Sequence, residues 1–435
     1  MDLFNQLKQQ LSEKLQALTA SQGVIKLSVE YPHYLESTPC WLSWLKGQSH
    51  FPQYFWQNRT QETTFCAIGA VRHFSQLEEA EQFSRQSQFP LFGGIQFEGE
   101  SQFILPRLLI AKNSEKVTAC LFLDSDHLIE ERLISEQILA QTAHYVPIEP
   151  LVNQLIGSQS ACDFSDWQQN IAKAISHIQQ LDFHKVVLAN AVTRHFQDPV
   201  SPYDLLAASR QKNLGCYHFL WRESAQSAFL GSSPERLYYR ENRDFYTEAL
   251  AGTVAVTADL AQTERNAFWL LNDQKNIHEN LLVVEDICTH LADCVADIQV
   301  SDVEIKRLHN VQHLRRKIYT KLAKQVNDSD CLARIHPTAA VAGLPRMPAK
   351  QFIRQHEGFS RGWYAGTLGY FMPDKAEFCV ALRSALIYEN HITFYAGAGI
   401  VEGSQAESEW QEIERKSQAL ASLLTSDSSD LQNFN

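Results

Sequence analysis

The chain has 435 residues, 44% of them hydrophobic, and a formal net charge of −12, which suffices for a large core and for two or three domains. An acid excess with no basic cluster excludes a nucleic-acid surface, which needs a positive footprint, though it leaves room for an anionic substrate in a locally positive cleft. Nine scattered cysteines without a C-x-x-C pair read as reduced thiols of a cytoplasmic protein, and no uncharged run reaches membrane-spanning length.

Leu3, Leu7, Leu11, Leu15 and Leu18 recur at helical spacing among Gln, Lys and Glu, so the chain opens on an amphipathic helix and not on a signal peptide. Residues 24–125 read mostly as strands, including a single strand over 110–123, with Gly93-Gly94 marking a close backbone crossing. A helix is predicted over 130–142. The polar, small-residue stretch 158–164 is the best candidate for a boundary between halves. Ser165 to Gln168 has capping-box spacing and starts a helix that feeds the apolar strand from Lys185. A helix near 202–210, a strand at 216–221, a strand–turn–strand over 229–239 and a strand from Phe245 follow. One long helix is expected over 263–292, another helix at 348–357, and a Gly-rich strand at 362–371. An unbroken strand over 378–388 then turns through Glu389-Asn390 into His391–Phe394. After that strand, Ala396 to Gly399 reads as a turn leading into a last helix, and the chain ends in a polar tail from Thr425. Strands and helices mix without regular β-α alternation, which predicts an α+β fold with antiparallel sheets.

Several residues depart from core or surface patterning. Glu409, Glu412 and Lys416 fall on one helix face after glycines whose amides could hold an anion. That combination suits a hard cation beside a carboxylate substrate, or equally a solvated face with an i,i+4 pair. Lys185 opens an apolar strand, either as a solvated strand end or as a buried base. Glu235, in the turn Gly231-Ser-Ser-Pro-Glu-Arg236, is either an exposed acid paired with Arg236 or a protonated general acid in a dry cleft. Glu279 on its helix would complete an all-oxygen magnesium site with Glu409 and Glu412. Arg383, with Cys379, Ala381 and Ala385 on one strand face, could grip a carboxylate with its fork or snorkel to water. No nucleophile elbow or H-E-x-x-H pair is present.

Read together, Lys185-Val-Val-Leu-Ala, Ser233-Pro-Glu-Arg, Ala249-Leu-Ala-Gly-Thr253, Lys275…His278-Glu279, His336-Pro-Thr…Gly343, Ala396-Gly-Ala-Gly-Ile400 and Glu409-x-x-Glu-x-x-x-Lys416 resemble the chorismate-utilising enzymes. That family includes the anthranilate, aminodeoxychorismate, salicylate and isochorismate synthases. The resemblance covers about residues 165–420 and is looser before 160. It implies a large α/β sandwich of two antiparallel sheets with helices outside. Residues 1–160 would be an N-terminal part of the same fold, 161–425 the chorismate-binding region and 426–435 a polar tail. It further implies Mg²⁺ held by Glu279 and Glu412 with Glu409 close by. Lys185 and Glu235 would be the catalytic base and acid. Gly252, Thr253, His313, Ala340, Tyr370, Arg383, Gly397, Gly399 and Lys416 would bind substrate.

Ala340, where aminating and lyase members usually carry threonine, resembles the isochorismate-forming enzymes. Ala251 stands where aminodeoxychorismate synthases often carry a lysine nucleophile. The segment 336–345 together with 249–253 is most similar to the menaquinone-pathway type, with the siderophore-pathway type and salicylate synthase as alternatives and an anthranilate-type enzyme less so. Tyr34-Leu-Glu-Ser37 is similar to a tryptophan-binding string of anthranilate synthases, a four-residue match taken as chance. Chorismate is then the small-molecule partner, no glutaminase subunit is expected, and the oligomeric state stays open.

Overall fold

The computed structural model describes residues 3–19, 22–32 and 40–424. Tyr34 to Ser37 and the tail from Thr425 lie outside the described residues. Among those described, no helix is long and apolar enough to cross a membrane.

Every strand pair is antiparallel, and the strands form one hydrogen-bonded network with two limbs. The first limb runs, in spatial order, Val24–Pro32, Lys116–Asp124, Ser101–Lys112, Thr64–Phe74, Gln53–Gln57, Tyr217–Arg222, Ser227–Ser233, Ser384–Tyr388, His391–Ile400, Lys185–Phe196 and Leu155–Ser160. The second runs Leu91–Ile95, Thr367–Met372, Lys375–Val380, Arg236–Glu241, Asp244–Ala255 and Val311–Leu322. The two join because Ser101–Lys112 is long enough to split one edge, pairing Leu91–Ile95 early and Lys116–Asp124 late. The α+β fold with two antiparallel sheets is therefore present, fused along one strand.

Strand alternation sorts the first limb's side chains into two cores. Tyr54, Trp56 and Phe219 face the second limb, while Phe55, Leu220 and Leu230 face outward. That outer face is covered by helices Leu3–Gln16, Trp41–Lys46 and Pro202–Lys212, the first through Phe4, Leu7, Leu11 and Leu15. Leu18 lies past the helix end.

Several local expectations differ. Residues 110–123 are a hairpin, because Asn113 turns the chain through side-chain bonds to the amides of Glu115 and Lys116. The segment 155–160 is an edge strand on Lys185–Phe196. The next helix, Phe164–Gln179, is capped by Asp163, whose carboxylate accepts from the amide of Asp166, and not by Ser165. The long helix is two, Leu260–Asn272 and Gln274–Leu291, because Asp273 takes an extended conformation and caps the second. Ala396 to Gly399 do not turn: the strand continues to Ile400, paired throughout with residues 186–195.

Most consequential is a double crossing. Ser227–Ser233 belongs to the first limb and Arg236–Glu241 to the second, so the chain changes sheets at Pro234-Glu235. Lys375–Val380 and Ser384–Tyr388, expected as one strand, change sheets at Ala381–Arg383. The two crossings clasp each other through Val380 N–H to the Glu235 carbonyl and Ser232 N–H to the Arg383 carbonyl, at 3.2 and 3.1 Å.

Candidate active site

A cavity opens where the limbs part at these crossings. It is lined by Val187, Pro234, Glu235, Leu250 to Thr253, Glu279, His313, Ala340, Tyr364, Arg383, Tyr395, Gly397, Gly399, Glu412 and Lys416 among others. Most of the residues singled out in the sequence thus converge from distant segments. Lys185 lies one layer deeper, fully buried on the strand face it shares with Val187. Its Nζ is 3.0 Å from Oε1 of Glu279. Glu409 is likewise buried, paired at 2.5 Å with Lys275.

Tyr370 is not part of this cavity. Its ring is fully buried among Trp56, Phe65 and Phe92, because Thr367–Met372 turns that face toward the aromatic core. Tyr364 and Tyr395, stacked 5.1 Å apart, line the cavity instead.

Glu235 is 4% exposed, and burial, reinforced by the nearby Glu248 carboxylate, pushes its carboxyl up to about 8 against the pull of Lys185, Lys306 and Lys416. It therefore carries a proton at neutral pH. Arg236 is not its partner; that guanidinium binds Glu377 at 3.1 Å. Glu279 is largely enclosed, yet Lys185, Lys275 and Lys416 more than offset the cost of desolvation and hold its carboxyl below the usual range. Two glutamates in one cavity are thus driven to opposite protonation states, as acid–base sites require.

Arg383 sits at the second crossing with φ of 47°, a left-handed conformation that non-glycine residues seldom adopt and that gathers at functional sites. Its guanidinium is buried and donates to Asn310 Oδ1 at 3.3 Å and to His313 Nε2 at 3.2 Å. Because that Nε2 accepts, the histidine proton is on Nδ1, 3.1 Å from the Thr253 hydroxyl. Burial, then Arg383 and the lysines, hold His313 well below its ordinary pKa, so it stays neutral. Among the described residues no carboxylate lies within ion-pair distance of Arg383. A buried cation left without a counter-charge costs several kcal/mol, and the cavity offers the place where an anionic ligand would offset it.

The glycines supply space and a free edge. A Cβ on Gly399 would sit 2.2 Å from the Glu279 carboxylate, so only glycine lets that group reach the strand. Lys416 donates to the Gly397 carbonyl at 3.0 Å, and the Ala189 amide opposite Gly397 bonds Glu357 instead of the ladder. Gly397 and Gly399 therefore turn their backbone edge away from the neighbouring strand, which keeps their amides available to an anion from a strand edge and not from a turn. Gly252, at φ 82°, makes the bulge that offsets Ala251 from Thr253.

Glu279, Glu409 and Glu412 each engage a lysine: Lys185, Lys275 and Lys416. Among the described residues no three His, Cys, Asp or Glu side chains are gathered to hold a metal unaided. Two cavity-lining carboxylates with a third behind them fit magnesium, which is commonly held by one or two carboxylates and completes its shell with waters and substrate oxygens. Gly399→Ala is expected to push the Glu279 carboxylate aside and raise the magnesium concentration for half-maximal turnover about 10–100-fold, as other disturbances of ligand placement do. A magnesium titration of turnover checks this, and an unchanged midpoint would refute it.

Sequence reasoning missed the supports. Asn280 donates to the carbonyls of Ala249, Ala251 and Leu314, pinning the helix that carries Glu279 against the bulged strand. Arg361, paired with Glu357 at 2.5 Å, bonds the carbonyls of Val187 and Val341 and so ties the Lys185 strand to the Ala340 loop. The signal was present in Glu357-x-x-x-Arg361 spacing, which is indistinguishable in sequence from an exposed helical pair.

An acid and a lysine beside carboxylates and an unpaired arginine define an enzyme acting on a small polyanionic substrate. A family model described as chorismate binding enzyme matches residues 95–425, and the chain belongs to that family. The isochorismate synthase MenF of Haemophilus influenzae is 45% identical over 386 residues, covering 88% of each chain. That of Escherichia coli is 41% identical over 431 residues, covering 97% of this chain and 99% of the relative. Among solved structures, the menaquinone-specific isochorismate synthase from Escherichia coli superposes with a TM-score of 0.91 at 40% identity, over 97% of this chain and 99% of that one. Anthranilate synthase component I from Streptococcus pneumoniae shares the fold, with a TM-score of 0.66 at 17% identity, over 89% and 95%.

Proposed function

We infer that this chain is an isochorismate synthase of the menaquinone-forming type, an isomerase that interconverts chorismate and isochorismate in the cytoplasm. The observation that carries the mechanism is Glu235: a buried carboxyl, pushed up to about 8, facing a cavity whose buried arginine has no counter-ion among the described residues. Arg383 and the free amide edge at Gly397 and Gly399 take one substrate carboxylate. Glu279 and Glu412, with Glu409 behind them, would hold Mg²⁺, which supplies electrostatic anchoring of the other carboxylate. Binding at both ends fixes the ring, so orientation comes from binding energy.

Lys185 takes a proton from the water that attacks ring carbon 2. Glu235 gives its proton to the hydroxyl leaving carbon 4 as water, and the ring double bonds shift between. One water enters and one leaves, so the isomerisation is reversible. Thr253 and Lys416 border the substrate, and neutral His313 keeps Arg383 aimed. Residues 161–425 supply every one of these groups, and residues 1–160 are assigned to the same fold, supported by strand pairs formed across position 160.

Incubating the protein with chorismate and magnesium, then separating the products, tests the reading: isochorismate alone is expected. Pyruvate with salicylate would make it a salicylate synthase, and an aminobenzoate formed on adding ammonium would make it an anthranilate-type enzyme. Either product would overturn the assignment. EDTA is expected to lower turnover at least about tenfold, with magnesium restoring it; chelation without effect would remove the carboxylates from the metal role.

A further inference from the structure

Behind the Pro234-Glu235 crossing, on the side away from the catalytic cavity, lies a separate cleft of about 250 Å³ lined by Asn58, Arg59, Arg236, Lys306, Arg315 and one acid, Glu377, among others. Four cationic side chains meet there in a protein whose net charge is −12. Their internal acids are already shared. Glu248 accepts Arg59 at 2.6 and 3.2 Å and lies 3.7 Å from Lys306 and 3.8 Å from Arg315. Glu377 takes Arg236 and the Tyr217 hydroxyl. Glu304 binds Arg315 and Lys317. The four lining cations thus share three carboxylates, of which Glu377 itself lines the cleft and Glu304 also serves Lys317, so a net positive charge remains at the wall.

We propose that this cleft is a second anion site, built for a small phosphate or carboxylate and distinct from the cavity that holds Arg383. Arg59 and Lys306 both donate to the Pro234 carbonyl, which fixes two of the cations at the cleft wall before any ligand arrives. Such preorganisation lowers the entropic cost of binding. Burial, with Arg59 and Arg315 partly offsetting the pull of Glu248, brings the Lys306 ammonium down to about 8. An anion in the cleft would restore the missing counter-charge through charge-assisted bonds from the arginine forks. Pro234 lines the catalytic cavity on its other side, so a single peptide separates the two sites. The inference stands on the charge cluster and does not depend on the reaction assigned to the catalytic cavity.

Calorimetric titration of the full chain at low ionic strength with inorganic phosphate, and separately with succinate, tests it. Saturable binding is expected, with the tighter of the two anions defining the site's chemistry. Arg315→Gln, at a half-buried strand position, is expected to weaken binding by about tenfold or more, the worth of one charge-assisted hydrogen bond. Lys306→Met, made in parallel, should weaken it comparably. Arg383→Gln should leave it unchanged, because that residue serves the other cavity. The absence of saturable binding, loss in Arg383→Gln, or binding indifferent to both Arg315→Gln and Lys306→Met would each overturn the proposal.

Discussion

Glu235→Gln is expected to lower kcat by about 10²–10⁴-fold, the usual worth of a positioned general acid, with fold and substrate binding retained. Glutamine keeps the size and a hydrogen-bonding end but has no proton to give. The backbone around it is fixed from both sides, by the Glu235 amide on Ser233 Oγ and by Val380 on the Glu235 carbonyl, so the substitution changes chemistry and not position. Since the wild-type carboxyl titrates at about 8, turnover should fall as pH rises through that value. Stability falls in the same direction, with its onset at a lower pH. A folded-state pKa raised from 4.5 to about 8 means the native state binds the proton more tightly than the unfolded chain. The resulting stability is present in full at acid pH and is lost as pH climbs toward the folded value. Glu235→Gln escapes that loss. Its melting temperature should gain on the wild type between about pH 4.5 and 8, by an amount equivalent to a few kcal/mol, and level off above. A difference that stays constant across that range would show that the acid is not held protonated.

The parts of this site that were legible in the sequence are those whose chemistry contradicts their neighbours. A lysine opening an apolar strand, a glutamate after a buried strand and a helix face with two carboxylates stand out because burial of charge is costly. The geometry joining them was not legible, because it depends on partners far along the chain. Residues 378–388 read as one apolar strand, yet the clasp with 227–241 forces a change of sheets at Arg383. Periodicity cannot supply that information. Glycines at 397 and 399 suggested a turn, whereas their absent Cβ atoms make room for Glu279 against a continuing strand. Tyr370 failed for a related reason: alternation puts side chains on two faces without saying which one meets the cavity. Glu248 and Lys306, which act on the Glu235 carboxyl, carry no sequence pattern that separates them from surface charges. Only their burial distinguishes them.

Lys185→Met is expected to cost turnover another 10²–10⁴-fold, roughly the contribution of a general base, though a loss alone would be ambiguous. In the structure the ammonium is the nearest counter-charge to Glu279, so its removal could act through that carboxylate. Lys275 and Lys416 still neutralise Glu279 in the variant, which therefore folds despite the penalty of breaking a buried pair. Lys185→Arg separates the two roles. A guanidinium preserves the positive charge beside Glu279 but cannot give up its proton in a protein. If Lys185 only balanced charge, arginine would restore much of the activity; as the base that deprotonates water, it leaves the enzyme about as inactive as methionine does. Chorismate binding followed under the same conditions should persist in both variants, since Arg383 and the Gly397–Gly399 edge are untouched. Turnover regained in Lys185→Arg would move the proton-accepting role to another group and leave Lys185 as the charge that keeps Glu279 ionised.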